Sequence, residues 1–249
     1  AALVFAANGV KAYLFSSLRP TPELSFAIRQ LGCDTGIVVT ASHNPPQYNG
    51  YKAYWNDGAQ VIEPHDVGII AEVNSVADIK SMDRAEAIAQ GLLVLIDKEI
   101  DEPYAAMVTS RLFRPALIRE KAKDVKIVYT PLHGTGVTMV PAALKEYGFQ
   151  NIHVVEQQSV PDGNFPTVKS PNPEESAAME MAIREAEEGG ADMVLATDPD
   201  ADRIGVAVRD DSGRFILLNG NQTATLLTYY LLTKWKENGL LTGKEFIVK

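Results

Sequence analysis

Short apolar runs of strand length alternate along the chain with stretches whose apolar residues recur at helical spacing. Residues 1–8 read as the end of a helix stopped at Gly9, and residues 10–15 as a strand. Thr21 is the expected N-cap of the next helix, with Pro22 at its first position and Leu24, Phe26, Ala27, Ile28 and Leu31 on its packed face; Gly32 ends it. Strands are expected over 36–39 and 51–55, the second running into an Asn56-Asp57-Gly58 turn. Weaker helical segments cover 63–76 and 81–90. The charged stretch 97–103 ends in a proline, and a helix resumes over 104–112.

A second alternating unit starts at 125: strand 125–129, loop 131–136, a helix to Tyr147, and strand 152–155. Beyond a Pro-rich loop, Asn172 is the expected cap of a helix that stops at Gly189-Gly190, and 192–197 is the next strand. Segments 204–208 and 214–218 flank an Asp211-Ser212-Gly213 turn and read as an antiparallel pair. Asn219-Gly220 opens a helix to about Asn238, and 245–249 reads as one more strand. Strands alternating with helices imply βαβ crossovers, so the expected class is α/β with mixed, mostly parallel sheets.

With 249 residues and 46% hydrophobic positions the chain can bury sizeable cores. Its formal charge of -9 gives no basic stripe for nucleic acid and no polybasic segment for an anionic membrane. An anionic substrate would need local help from Arg, Lys, backbone amides or a metal. The lone cysteine, Cys33, cannot form an internal disulfide and fits a reducing compartment, most simply the cytoplasm. The apolar stretches 91–96 and 226–232 fall short of the roughly 20 residues a membrane helix needs. Oligomeric state is not legible.

Three loops at strand ends carry candidate chemistry. In Thr40-Ala41-Ser42-His43-Asn44-Pro45-Pro46, two prolines and an Asn-Pro turn place the Ser42 hydroxyl on a stiff loop, where it serves either as a local turn cap or as a group that attacks or is modified. In Asp198-Pro199-Asp200-Ala201-Asp202-Arg203, three carboxylates at alternate positions repel unless a cation lies among them. All-oxygen ligation with room for a phosphate oxygen suits Mg²⁺, and Arg203 adds a fork for phosphate. An EF-hand is excluded, because its sixth and twelfth positions fall on Arg203 and Arg209. The third loop, Pro131-Leu132-His133-Gly134-Thr135-Gly136, joins a strand to a helix, where backbone amides attract anions; a plain turn capped by Thr135 is the alternative.

Together with Asn49-Gly50-Tyr51-Lys52, these loops resemble the α-D-phosphohexomutases, the phosphoglucomutase and phosphomannomutase family. The resemblance implies consecutive three-layer α/β/α domains: 1–103 as the later part of the first, 104–213 as the second, and 214–249 as the start of a third. It implies a serine that carries a phosphoryl group, passes it to a sugar monophosphate and recovers the other phosphate of the bisphosphate intermediate, so that hexose 1- and 6-phosphates interconvert. By motif, Ser42 is the phosphoserine; Asp198, Asp200, Asp202 and a Ser42 oxygen hold Mg²⁺; and Arg203, Asn44 and Gly134 contact the phosphorylated substrate. Lys52 matches the family's acid/base lysine, and His43 and His133 are candidate helpers in catalysis. The family's first-domain arginine motif, its sugar-selecting loop and its last phosphate-clamping loop have no match in the chain, so sugar preference is not legible and this stretch by itself is expected not to turn over sugar phosphates.

Two rivals remain. A haloacid-dehalogenase-type phosphatase would use Asp198 as nucleophile with Asp200, but position 202 is Asp instead of Thr or Val. A dinucleotide-binding domain would use Gly134 and Gly136 after the strand and Glu156 downstream, but Met139 stands where the third glycine belongs. A non-catalytic sugar-phosphate binding module is the remaining alternative.

Overall fold

The computed structural model describes residues 1–48 and 50–248. Asn49 of the Asn-Gly-Tyr-Lys motif and Lys249 of the expected last strand lie outside the described residues. Contacts divide the chain into two units, Ala1–Ala41 with Gln47–Ser110, and Ser42–Pro46 with Arg111–Lys249.

The first unit contains α1 (Ala2–Ala7), β1 (Ala12–Phe15), α2 (Thr21–Leu31), β2 (Thr35–Val39), β3 (Tyr51–Trp55), α3 (His65–Ser75), α4 (Arg84–Ala89), β4 (Leu93–Ile96) and α5 (Lys98–Thr109). β1 pairs in parallel with β4, Ala12 opposite Leu93, and β2 pairs antiparallel with β3, Thr35 opposite Trp55. Its buried clusters are Ala6, Ala87 and Leu93 under α1 and α4, and Ala27, Ile96 and Ile100 between α2 and α5. The Asn56-Asp57-Gly58 turn forms: the Asp57 carboxylate accepts from the Ala59 N–H at 2.8 Å and Gly58 takes φ 79°.

Two expectations in this unit are corrected. Pro20 holds the N-cap position of α2, with Thr21 as the first helical residue and Pro22 the second, so the helix begins one residue earlier than expected. The helix expected to resume at 104 begins at Lys98 and runs through Pro103. The charged stretch ending in a proline reads as a boundary, but Asp97 and Asp101 are placed at the positive end of a helix and paired. Arg19 donates to both Asp101 oxygens at 2.8 and 2.9 Å and to Asp97 at 3.1 Å, and the Ser16 hydroxyl donates to Asp97 at 2.6 Å. β4, just before it, had no assignment from pattern alone.

The second unit contains α6 (Pro115–Lys121), β5 (Lys126–Thr130), a 3-10 turn (Thr135–Thr138), α7 (Val140–Glu146), β6 (Asn151–Val154), α8 (Glu156–Ser159), α9 (Ser176–Glu188), β7 (Met193–Thr197), β8 (Ile204–Arg209), β9 (Phe215–Leu218) and α10 (Gly220–Glu237). Its five strands lie in the order β6-β5-β7-β8-β9. β5 is parallel to both β6 and β7, whereas β7-β8 and β8-β9 are antiparallel, the latter joined by the tight turn at Asp211–Gly213 and the former by the acidic loop 198–203. The sheet is therefore mixed with the two senses equally represented. α9 lays the small residues Ala178, Ala182 and Ala186 with Met179 against Val128, Val194 and Ala196, all buried. Small residues on one helix face allow close approach to the sheet and a dense core.

α9 starts at Ser176, four residues after the expected cap. Asn172 instead accepts from the Glu174 N–H at 3.2 Å and forms a side-chain turn ahead of the helix. The single helix expected between the third loop and Tyr147 is split at Met139, where the backbone leaves the 3-10 turn before α7. Asn219 caps α10 as expected, with its side chain accepting from Gln222 N–H while the Gln222 side chain accepts in return from the Asn219 N–H. Residues 245–248 form no strand; they have no neighbouring strand to pair with among the described residues, and pairing is what defines a strand. No helix among the described residues is long and apolar enough to cross a membrane.

Because β5 and β7 are parallel neighbours, with Thr130 opposite Ala196, both chains leave the sheet at the same edge. The loop after β5 and the loop after β7 are thereby brought together at the carboxyl ends of the strands, where open α/β sheets bind ligands.

Candidate metal and phosphoryl site

β7 ends in buried Thr197 and delivers Asp198, fully shielded from solvent. The loop folds back on this carboxylate: Asp198 Oδ1 accepts from the Asp202 N–H at 3.1 Å and the Arg203 N–H at 3.0 Å, and the Asp198 carbonyl accepts from the Ala201 N–H at 3.0 Å. Ala201 takes φ 55° to close the turn. The result sets one carboxylate oxygen from each of Asp198, Asp200 and Asp202 within 4.8 Å of the others, with Asp200 buried and Asp202 exposed. Burial, and then the charges of Asp200 and Asp202, push the Asp198 carboxyl up to about 7, against the stabilising Arg203 N–H. Mutual repulsion of this kind is what a divalent cation relieves, and an all-oxygen donor set is the one hard ions take. The residues present therefore fit a metal ion.

Ser42 reaches this loop from 156 residues away in sequence, its Oγ donating to Asp198 Oδ2 at 3.2 Å. Its backbone is left-handed, φ 53°, a conformation a non-glycine residue holds only where surrounding structure imposes it. His43 Nδ1 lies 3.2 Å from the same Oγ. Asn44 is exposed on this loop, as is the Arg203 side chain on its own. Lys52 is half-buried on β3 of the first unit, opposite Val38.

The third loop is tied directly to the aspartate loop by the Thr135 N–H, which donates to the Pro199 carbonyl at 2.7 Å. Gly134 is required by this approach, since a Cβ there would lie 2.3 Å from Pro199 Cα. At Gly136 a Cβ would fall 2.3 Å from the Tyr129 hydroxyl and 2.4 Å from Thr197 Oγ1. The two glycines thus make room for protein atoms, which removes the pyrophosphate argument for a dinucleotide site, and only a four-residue 3-10 turn follows them.

His133 is buried, and both its ring nitrogens are engaged: Nδ1 is 3.1 Å from the Val160 carbonyl and Nε2 is 2.8 Å from Thr167 Oγ1. It organises the loop around it. Sequence reasoning missed its partners Gln158 and Thr167, which lie in a Pro-rich stretch with no periodicity to single them out. It also missed the role of Pro199 as the contact between two loops.

A family model described as phosphoglucomutase/phosphomannomutase, alpha/beta/alpha domain I, matches residues 1–80, and one for domain II of the same family matches 102–213. The chain is 40% identical over 238 residues to a probable phosphomannomutase of Haemophilus influenzae, spanning 94% of this chain and 47% of that protein. It is also 40% identical over 240 residues to a human phosphopentomutase, spanning 95% of this chain and 39% of that one. A crystal structure of a candidate phosphomannomutase from Thermus thermophilus superposes with a TM-score of 0.74 at 27% identity, covering 92% of this chain and 48% of that one. The chain spans about half the length or less of these relatives. Domain models in sequence order, together with relatives at this identity, lead to one conclusion: the chain belongs to the phosphoglucomutase/phosphomannomutase family.

Proposed function

We propose that this chain carries the phosphoryl-transfer serine and the metal loop of a phosphosugar mutase that interconverts hexose 1-phosphate and hexose 6-phosphate. The observation that carries the reading is the 3.2 Å approach of Ser42 Oγ to Asp198 Oδ2, between loops remote in sequence.

In the forward half-reaction the bond between phosphorus and Ser42 Oγ breaks while a hydroxyl of the bound sugar monophosphate forms a new bond to phosphorus. The proton of that hydroxyl passes to a base, for which Lys52 and His43 are the proposed groups, and a proton is returned to Ser42 Oγ as that oxygen leaves phosphorus. The bisphosphate then presents its other phosphate, which returns to Ser42 Oγ. Mg²⁺ held by Asp198, Asp200, Asp202 and a Ser42 oxygen would supply neutralisation of charge on the transferring group. Arg203, exposed beside the aspartates, is suited to fork the free phosphate oxygens, with exposed Asn44 as a second proposed phosphate contact, while buried Gly134 acts by letting its loop pack on Pro199. His133, with both nitrogens engaged, acts by holding its loop. On this reading the serine belongs to a first domain, 1–103, and the metal loop to a second, 104–213, with a third beginning at 214. A cytoplasmic setting fits the single, half-buried Cys33.

Incubation with a hexose 1,6-bisphosphate, followed by peptide mapping, tests the reading. Phosphate is expected on Ser42, and Ser42→Ala is expected to abolish both labelling and, by more than roughly 10³-fold, mutase turnover of the protein with all its domains. Covalent phosphate on Asp198 would replace this reading with a phosphatase.

A further inference from the structure

The loop between β5 and the 3-10 turn is held in a costly shape. Leu132 and His133 are consecutive non-glycine residues with φ 46° and 60°, in the left-handed region. Such residues persist only when their surroundings over-determine them. The surroundings here form a closed chain of hydrogen bonds.

The Val160 carbonyl only accepts, so His133 Nδ1 carries a proton and donates to it at 3.1 Å. Gln158 Nε2 donates to Thr167 Oγ1 at 3.0 Å, and the same hydroxyl is hydrogen-bonded to His133 Nε2 at 2.8 Å. At the other end of Gln158, its Oε1 accepts from the Thr130 hydroxyl at 2.6 Å, and Thr130 Oγ1 accepts from the Leu132 N–H at 3.1 Å. The backbone closes the ring: His133 N–H donates to the Gln158 carbonyl at 2.9 Å, and the His133 carbonyl accepts from Asp162 N–H at 3.1 Å. Gln158 is completely buried, so loss of a partner leaves it unsatisfied with no water to substitute.

Two residues beyond His133, the Thr135 N–H donates to Pro199 between Asp198 and Asp200, and Gly134 packs on the Pro199 backbone. We propose that Thr167 and Gln158 are positioning residues for the aspartate loop. They hold the His133 ring between the Val160 carbonyl and Thr167, keep Leu132-His133 left-handed, and so aim Gly134 and Thr135 at Pro199, which sets the spacing of the metal-binding carboxylates. Neither residue touches metal or substrate. The inference rests on the reading of Asp198, Asp200 and Asp202 as a metal site.

The test is titration with Mn²⁺ alone, followed by the electron paramagnetic resonance signal of the free ion. Thr167→Val removes both the donor and the acceptor at nearly constant volume and is expected to weaken Mn²⁺ binding by about tenfold or more, in the range by which outer-shell partners tune metal sites. Thr167→Ser restores the hydroxyl and is expected to bind within about twofold of the parent. Met179→Ala, a core truncation in α9, controls for loss of stability: it lowers the melting temperature and is expected to leave Mn²⁺ affinity unchanged. If Thr167→Val does not fold at the assay temperature, Gln158→Met carries the same comparison. Parental affinity in the folded Thr167→Val or Gln158→Met protein, or equal weakening by Met179→Ala, would overturn the positioning role. Failure of the parent protein to bind Mn²⁺ would instead overturn the metal site itself.

Discussion

Asp198 is the residue on which the site turns, because it is buried, accepts from Ser42 and two backbone N–H groups, and faces two further carboxylates. Its carboxyl is pushed from the ordinary 3.8 up to about 7. The sign of the consequence follows from linkage: between these values the unfolded chain has lost the proton and the folded protein keeps it, so stability of the metal-free protein falls as pH rises from about 4 to 7. Thermal melts in EDTA across that range are expected to show this decline, and Asp198→Asn is expected to flatten it. Metal binding must displace the same proton, so Mg²⁺ affinity is expected to drop by up to about tenfold per pH unit below 7, measured by calorimetry. The three aspartates and Ser42 stand out in the sequence because alternating acids after an apolar strand, and a serine before Asn-Pro-Pro, are unusual in themselves. Gln158 and Thr167 do not, since a buried polar residue differs from an exposed one only in what it meets.

At the scale of elements, most strands and their turns were legible, β4 and the expected last strand excepted, while most helix starts were displaced. Apolar runs such as 126–130 and 193–197 are buried nearly throughout, so the side chains themselves mark them. Helix starts depend on which of several capable groups accepts the first N–H. Asn219 wins that competition at α10, while Asn172 spends its side chain on a local turn and Pro103 sits inside α5. The pairing of loop to loop is likewise invisible before folding, because Gly134 has an ordinary φ and is needed only for what lies against it. Gly134→Ala is accordingly expected to destabilise by about 1–3 kcal/mol through overpacking on Pro199, read by urea denaturation, with Mg²⁺ binding weakened in parallel. Stability equal to the parent would show that the loops part easily.

At the scale of the molecule, the parallel order of β5 and β7 gathers strand ends, and the hairpin β8-β9 extends the sheet away from them. A chain with formal charge -9 needs a local cation to hold an anionic phosphoryl group, and only the aspartate trio meets the geometry for a metal among the described residues. Mg²⁺ at roughly 100 times its Kd is expected to stabilise the fold by about 2.7 kcal/mol, seen as a rise in melting temperature, and Asp200→Asn is expected to abolish that rise. The alternation of elements pointed to the α/β class and the resemblance to the family; the domain matches in sequence order agree with both.

On the proposed reading the serine and the three aspartates serve one ion. After phosphorylation by a hexose bisphosphate and loading with Mn²⁺, pulsed electron–nuclear double resonance reads it directly. A ³¹P hyperfine coupling from a phosphate bonded to the metal is expected, absent in Ser42→Ala; Mn²⁺ bound at the aspartates of the phosphorylated protein without any such coupling would rule out a shared ion.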